Sequence, residues 1–306
     1  MSQSRNSLSV RSVAAWLAWP GLFCLCMAVT AYGFLIGHSH LFFNAAYAGL
    51  IVTLFFLERW MPHEEKWRES DGQLPVDIAH TLSSKGTVQM LLLVNGMIGL
   101  ADVAEGGSLT AYSFWPLGLP LAVQVVLAVV VSEFGLYWAH RLAHEWKWMW
   151  RFHAIHHSVR KLWFANTGRF HIVDSLISIV FGLVPLILLG APMEMVKWVA
   201  CVTAFIGMLT HCNVDLRFGW LSWVFNTPEL HRWHHSKDLR EGNKNYGENI
   251  MIWDVLFRTY FNEARRPPVD IGIQEYMPRR FYQQLLWPFL GKARRARARE
   301  RFGAGV

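Results

Sequence analysis

Three short histidine motifs are the feature of this sequence that most clearly suggests chemistry. The first is His140 and His144, four residues apart in HRLAH. The second is HAIHH at residues 153–157, and HRWHH at residues 231–235 repeats its spacing. On a helix, side chains at i, i+3 and i+4 project from one side, so each motif is a ready-made group of metal ligands.

The number of imidazoles indicates more than one metal ion. One transition ion usually offers roughly four to six ligand positions, which is fewer than the nitrogens available here. A chance HxxHH has odds of about 10⁻⁴ per position at this histidine content, so two copies beside an HxxxH are not a random surface pattern. The motifs therefore predict two metals held close together by His140, His144, His153, His156, His157, His231, His234 and His235.

The chain must bend between the first two motifs. The nine-residue step from His144 to His153 is about 900° of helical rotation, which places them on opposite sides of one straight helix. Residues 146–152 contain four aromatic side chains, a composition typical of a membrane interface. We expect the bend there.

Composition indicates a polytopic membrane protein. Of 306 residues, 53% are hydrophobic and 16 are Trp, and the mean hydropathy is +0.21. The formal charge of +7 does not indicate a nucleic-acid partner, because the basic residues gather near the ends of apolar runs and in the tail KARRARARERF. The four cysteines form no disulfide framework.

The apolar runs must place all three motifs on one side of the membrane. Arg5 and Arg11 precede the first run, and the loops predicted on the opposite side lack Lys and Arg until Lys197, so the positive-inside rule puts every motif in the cytoplasm. One shared site is then possible. The predicted spans are 14–37, 42–57, 116–137, 172–189 and 196–209, with a shorter, re-entrant run at 88–100.

Imidazole alone does not choose the metal, but the setting restricts the chemistry. A site at the membrane face suits lipids with unreactive C–H bonds, and such bonds require a redox metal and O₂. Zinc would give hydrolysis through a metal-bound water. The zinc-protease motif HExxH is not present, because HEEKW at His63 and HEWKW at His144 lack the second histidine.

The ordered motifs resemble the fatty acid hydroxylase/sterol desaturase superfamily, whose members are integral membrane di-iron oxygenases. The resemblance rests on HRxxHE, HxxHHS, HCN at 211–213, TPELHRWHHS and KNYGENIMIWDVLFRTYF, and it covers roughly residues 130–262. It implies that the eight motif histidines bind iron and that His211 is a ninth ligand. It also implies a catalytic role for Glu145, as in alkylglycerol-monooxygenase-like members. Arg258 departs from the family, which usually has Gly there.

The sequence thus predicts an all-α, polytopic transmembrane domain with a cytoplasmic helical cap that holds a di-iron site. The predicted parts are a cytoplasmic segment 1–12, a membrane domain 13–262 and a basic cytoplasmic tail 263–306. The predicted reaction is O₂-dependent hydroxylation or desaturation of a fatty acyl, sterol or isoprenoid lipid, in a bacterial inner membrane or the ER membrane. Alternatives are a dizinc lipid hydrolase and a metal- or haem-binding transport protein.

Two electrons per turnover must come from a separate donor, because the chain has no GxGxxG, haem domain or Cys₄ cluster signature. A ferredoxin-type, cytochrome-type or soluble reductant would serve.

Several further residues have predicted roles of lower specificity. His171 is predicted either as a ligand or as a residue that supports a ligand or lies at the surface. His80 could approach the site, but the favoured interpretation is an interfacial histidine. His38, His40 and His63 are expected to have no chemical role. Acidic residues are expected to orient the ligand imidazoles by accepting their outer N–H, or else to be solvated charges. The candidates are Asp174, Asp215, Asp238 and Asp254, and an ordered cap is expected from Asn245, Tyr246 and Trp253.

Overall fold

The computed structural model describes residues 9–84 and 113–302. Within these ranges the chain is helical, and isolated β-bridges take the place of strands. The predicted all-α fold is confirmed. The helices are α1 (Val10–Leu35), α2 (Ser39–Trp60), α3 (from residue 74 to 84), α4 (Leu121–Glu145), α5 (Lys147–His157), α6 (Ile172–Leu188), α7 (Met193–Thr210), α8 (Pro228–His234), α9 (Leu239–Gly242), α10 (Ile252–Phe257), α11 (Phe281–Leu286) and α12 (Lys292–Phe302).

Four described helices, α1, α2, α4 and α7, are long and apolar enough to cross a membrane. The apolar helix α6 is shorter, at 17 residues. The predicted apolar run 88–100 and the ADVAEGGS loop lie outside the described residues. Helix α4 begins after Pro120, later than its predicted span, and continues to Glu145, so one helix connects the apolar interior with His140 and His144.

Helices α1 and α2 form a hairpin that packs on α7. Gly37 has a φ of +74°, a left-handed conformation that suits glycine and turns the chain sharply between the two helices. Trp19 of α1, Leu54 of α2 and Phe205 of α7 are fully buried in the shared core. This core fixes the position of the end of α7, where His211 lies.

Helix α4 makes its closest crossing with α6. Gly135 lies directly against the backbone of Phe181 and Gly182, and a Cβ at position 135 would overlap the Phe181 carbonyl. Small residues allow helix backbones to approach in this way. The crossing holds the two helices that carry His140 and Asp174 in one register.

The helix ends gather at two ends of the bundle. At one, which we call the His end, the residues after α2 pair with those after α7: the Asp215 N–H donates to the Met61 carbonyl at 2.8 Å, and the His63 N–H donates to the Asn213 carbonyl at 3.2 Å. The start of α1 joins them through the Arg217 N–H and the Ala15 carbonyl at 2.8 Å.

At the opposite end, called the far end, the start of α4 meets the α6–α7 turn. There the Phe114 N–H donates to the Leu189 carbonyl at 3.1 Å. Phe34, near the end of α1, stacks on Trp198, near the start of α7, with ring centroids 4.6 Å apart.

The region predicted as a tail packs partly against the site. The Gly272 N–H donates to the His235 carbonyl at 3.0 Å, and Ile271 is buried with Trp67, Val159 and Leu162. By contrast, most of the basic helix α12 is exposed. The domain boundary at residue 262 stays a prediction.

Candidate metal centre

The structure gathers nine imidazoles into two adjoining groups. In each group, one donor nitrogen per histidine lies within 4.8 Å of every other. All nine are buried except His144, which is half-buried. His group 1 contains His140, His144, His153, His157 and His234, and His group 2 contains His156, His211, His231 and His235.

Each HxxHH motif is divided between the two groups, whereas the sequence indicated that each motif would form one group. His153 and His157 enter His group 1 while His156 enters His group 2. His231 and His235 enter His group 2 and His234 enters His group 1. The reason is helical geometry: positions i and i+4 nearly superimpose, but i+3 and i+4 differ by about 100° and point to different sides.

The predicted bend occupies a single residue. Helix α4 ends at Glu145, and Trp146, with φ −102° and ψ 111°, is both its C-cap and the N-cap of α5. One extended residue turns α5 back so that the His144 and His157 Nε2 atoms are 3.0 Å apart. The third motif arrives on α8, and His211 caps the end of α7 with its Nε2 2.9 Å from His231 Nε2.

The outer nitrogens of four His group 1 imidazoles are held by acceptors. Such a hydrogen bond fixes the ring orientation and leaves Nε2 with its lone pair directed into the group. The pairs are His140 Nδ1 to the Tyr246 carbonyl (2.7 Å), His144 Nδ1 to Asn243 Oδ1 (3.1 Å), His153 Nδ1 to Asp174 Oδ2 (2.9 Å) and His234 Nδ1 to the Lys244 carbonyl (2.7 Å).

His group 2 is held differently. His211 Nδ1 pairs with Asn166 Oδ1 at 3.0 Å. The Nδ1 atoms of His156, His231 and His235 are buried without a hydrogen-bond partner in the described part of the chain. The His156 ring stacks on Phe170 with centroids 4.2 Å apart, which restricts the orientation of the ring but does not satisfy its Nδ1.

The donor set fits transition ions. The Nε2 atoms of His140, His153 and His234 are buried and have no hydrogen-bond partner among the described residues, although a buried polar nitrogen without a partner is costly. Burial, together with the neighbouring imidazoles, holds the pKa well below its ordinary value for the histidines outside the spans, so these rings are neutral and have the protonation state that metal binding requires. They are His156, His157, His231, His234 and His235.

Asp254 supports the centre through the backbone. Its carboxylate accepts hydrogen bonds from the Tyr246 N–H (2.8 Å), the Gly247 N–H (2.7 Å) and Thr259 Oγ1 (2.7 Å), and burial raises its pKa to about 6. The Tyr246 carbonyl in turn accepts from His140. Asp254 therefore positions an imidazole through a peptide, where the sequence suggested direct contact.

The remaining cap residues are ordered as well. Asn245 has a left-handed φ of +55°, and its side chain accepts from the Phe261 N–H and donates to the Leu230 and Phe261 carbonyls. Trp253 donates to the Val130 carbonyl of α4 at 3.0 Å. The loop after the third motif is thus fixed to the helix that carries the first.

Glu145 lies outside both His groups. Its side chain is 47% exposed and its carboxylate is 2.9 Å from Arg141 Nε. A catalytic role for Glu145 stays a prediction that this geometry does not favour. Helix periodicity is the cause, because position 145 follows His144 by about 100° and points away from it.

His80 and His171 also lie outside the groups. The interfacial placement of His80 stays a prediction. Its ring is fully buried between the Phe170 carbonyl and Gln284, and burial lowers its pKa to about 4. His171 is the N-cap of α6, where its Nδ1 accepts from the Val173 N–H at 3.0 Å.

Among the other predicted residues, Asp174 alone accepts directly from a grouped imidazole. Asp215 lies 3.7 Å from His63, and Asp238 caps α9 at the surface. His38 and His40 lie at the α1–α2 turn. Asn166, at the end of a short 3₁₀ helix, and Asn243, the C-cap of α9, were missed, because a single asparagine in a connecting segment carries no spacing signal.

Comparison with known proteins gives matches over the same region and beyond it. The fatty acid hydroxylase family matches residues 125–259. Ornithine lipid hydroxylase OlsE of Rhizobium tropici is 46% identical over 95% of this chain and 88% of its own length. Human alkylglycerol monooxygenase is 33% identical over 46% of this chain and 31% of its own length, and fatty acid hydroxylase vlmA of Lecanicillium sp is 29% identical over 49% and 45%. No solved structure matches the chain.

Proposed function

This chain belongs to the fatty acid hydroxylase family, and from that premise we propose a membrane-bound di-iron oxygenase that hydroxylates or desaturates a lipid. Its relatives are lipid hydroxylases and monooxygenases, so it is an oxidoreductase of the oxygenase type. The carrying observation is the pair of buried His groups, in each of which one nitrogen per ring lies within 4.8 Å of every other.

The proposed roles of the residues follow from their positions. His group 1 and His group 2 would each hold one iron, and the bound irons would supply the O₂-activating redox chemistry. The imidazole tautomers would be fixed by the side chains of Asp174, Asn243 and Asn166 and by the backbone carbonyls of Tyr246 and Lys244. Burial of the rings keeps bulk water away from the centre.

The lipid substrate is proposed to carry an ornithine-type headgroup. This rests on the relative from Rhizobium tropici, which is similar along nearly the whole of both chains, whereas the alkylglycerol monooxygenases match less than half of this one. A sterol or isoprenoid substrate has less support.

Each hydroxylation consumes O₂, two electrons and two protons and releases water, so a separate electron donor is required.

Isotope incorporation tests the proposal. Purified protein in nanodiscs, supplied with ornithine lipid, a chemical reductant and ¹⁸O₂, should yield a product that contains one ¹⁸O atom, and metal analysis should find close to two irons per chain. His153→Ala should abolish product formation and lower the iron content, and His38→Ala should change neither, because His38 is exposed and lies outside both groups. Product formation without O₂ that follows zinc content would favour the hydrolase instead.

A further inference from the structure

A cavity of about 960 Å³ lies beside the metal centre, between α2, α3 and the segment 161–167. Its lining contains none of the grouped histidines, so it is distinct from the sites that would hold metal. We refer to it as the α2–α3 cavity. Apolar and charged side chains occupy different parts of its wall.

The apolar part is formed by two stripes at helical spacing. Helix α2 contributes Tyr47, Ile51 and Phe55, and α3 contributes side chains at positions 74, 78 and 82. The α3 side chains are exposed although they are large and apolar: Leu74 is 42%, Ile78 47% and Leu82 68% exposed. Since α2 is a candidate membrane span, these stripes would face hydrocarbon, and an acyl chain fits between them.

The charged part offers hydrogen-bond donors to an anion. Lys161 is only 7% exposed, and in the described part of the chain its ammonium makes one hydrogen bond, to the Glu69 carbonyl at 2.7 Å. An ammonium has three donors, so Lys161 retains donors for a ligand. The Arg59 guanidinium lies over the Phe55 ring, and no carboxylate of the described residues forms an ion pair with it.

Acidic side chains line the same cavity. Asp71 is 3.9 Å from the Lys161 ammonium, and Glu69 lines the cavity without an ion pair to any described residue. Among the described residues, the lining has three basic side chains (Arg59, Arg68, Lys161) and four acidic ones (Glu58, Glu65, Glu69, Asp71), and Arg68 is paired with Glu65 at 2.8 Å. This near balance suits a headgroup with both charges better than one that is only anionic.

The cavity shares its inner wall with His group 2. Residues 163–165 and 167 line it, and Asn166 between them holds the His211 ring. The buried Glu58 carboxylate, also in the lining, accepts from the Phe164 N–H at 2.9 Å and the Asn213 N–H at 3.0 Å. A molecule in the cavity therefore lies directly behind the segment that positions His211.

We propose that the α2–α3 cavity binds a lipid by its zwitterionic headgroup, with the anionic group at Lys161 and Arg59, the ammonium at Asp71 and Glu69, and the acyl chain between the stripes of α2 and α3. Two lipid classes have such a headgroup, with an ammonium and an anionic group. In N-acyl amino acid lipids the anionic group is a carboxylate, and in phosphatidylethanolamine it is a phosphate.

Lipid binding measured without turnover tests the inference. Full-length protein in detergent is titrated with an N-acyl ornithine lipid, phosphatidylethanolamine and phosphatidylglycerol, and the bound lipid is detected by native mass spectrometry. At least one zwitterionic lipid should bind more tightly than phosphatidylglycerol, and which one does so identifies the anionic group. Arg59→Gln should weaken that binding about tenfold, the effect of losing one charge-assisted hydrogen bond.

A second variant, which fills the cavity with a larger side chain, keeps the test valid if Arg59→Gln misfolds. Ile78→Trp should close the cavity and weaken binding, whereas the matched Val126→Trp, at a 64% exposed position on α4, should not. Iron content should be the same in both. Equal binding by the two Trp variants, or a preference for phosphatidylglycerol, overturns the inference. Lipid binding without ¹⁸O incorporation would refute the proposed function alone, and incorporation with unchanged binding in Ile78→Trp would refute the cavity alone.

Discussion

At the scale of single residues, the adjacent histidine pairs set the relation between the two His groups. His156 and His157 enter different groups, and so do His234 and His235. The rings of His157 and His235 stack across the boundary, with centroids 4.3 Å apart. Because consecutive Cα atoms are about 3.8 Å apart, each pair holds the two groups close together. Neither group can form without both HxxHH motifs.

Removal of the Asp174 charge should weaken metal binding. Asp174 and His153 are both buried, and their 2.9 Å hydrogen bond orients the imidazole and fixes which ring nitrogen faces the group. Asp174→Asn should lower iron affinity about 10- to 100-fold, measured by competition with a chelator. Asp215→Asn is the matched control, since Asp215 faces His63, which belongs to neither group. Equal iron affinity in the two variants would contradict the assignment.

The two His groups should also lose metal in sequence. Four of five imidazoles in His group 1 have an outer hydrogen-bond acceptor, against one of four in His group 2. Chelation of purified protein should therefore remove one iron before the other, with a stable species of one iron per chain seen by metal analysis and Mössbauer spectroscopy. Asp174→Asn should narrow the separation between the two steps. A single concerted loss of both irons would show that the outer contacts do not control affinity.

The nine grouped histidines could be named from the sequence because spacing and family motifs mark them. Their distribution could not, because the motifs look alike and only the crossing of α5 and α8 decides which ring faces which group. Four aspartates looked equivalent as outer partners, yet Asp174 alone contacts a grouped ring directly. That selection depends on how α6 packs on α4, and a sequence pattern does not contain it.

At the scale of elements, α4 is the helix that connects the membrane to the centre. It runs from Leu121 to Glu145 without interruption. It packs on α6 around Gly135, and its last turns carry His140 and His144. The span, the bend at Trp146 and the helix α5 were all predictable from apolar length, aromatic content and histidine periodicity. The glycine contact with α6 was not, because one glycine in an apolar run has several explanations.

The α4–α6 contact should tolerate no side chain at position 135. The Cβ of Gly135→Ala would overlap the backbone of Phe181, which cannot yield as a side chain can, so the helices must separate at a cost of about 1–3 kcal/mol or more. The midpoint temperature of thermal unfolding should fall. The iron content should fall as well, because α4 and α6 carry His140 and Asp174. Gly49→Ala in α2 is the control, since nothing lies within 4 Å of its Cβ position. Indistinguishable melting of the two variants would refute this contact.

The turn after α10 offers a stabilising change. Arg258 is the C-cap of α10 with φ +60° and ψ +35°, so an exposed arginine occupies a position that favours glycine, as the family pattern has it. The left-handed conformation costs a non-glycine residue about 1–2 kcal/mol, and glycine avoids this cost. Glycine also loses more conformational entropy on folding, which offsets part of the gain. Arg258→Gly should raise unfolding stability by about 0.5–1 kcal/mol in denaturation of the purified protein. Arg258→Ala should give no such gain, because alanine retains the left-handed cost.

At the scale of the whole molecule, the packing of the C-terminal region differs most from expectation. Residues after 262 were predicted as a basic tail, but Gly272 and Ile271 contact the segment next to His group 2, and Gln284 pairs with His80. Irregular segments of this kind bury few apolar residues and have no periodicity, so the sequence gives no sign that they pack. The long apolar helices were predictable because each is a continuous run of membrane length.

The orientation of the bundle in the membrane is the last prediction. The His end contains the start of α1 and the ends of α2 and α7, and it carries Arg11, Arg59, Lys66 and Arg68, whereas the far-end turns at 36–40 and 189–192 contain no Lys or Arg. Lys and Arg are retained on the cytoplasmic side, so the His end should face the cytoplasm.

Epitope tags should reveal this arrangement in spheroplasts or sealed vesicles. Tags after Arg68 and at the C-terminus should be protected from external antibody, and a tag between His38 and Ser39 or in the ADVAEGGS loop should be accessible. Iron content of each tagged protein serves as the control that the centre has formed. If the His end and the far end lie on opposite faces, the C-terminal tag and the α1–α2 tag must be accessible from different sides. Accessibility of both tags from one side would place the His groups and the loops predicted outside in the same compartment, and the membrane-spanning arrangement would have to be abandoned.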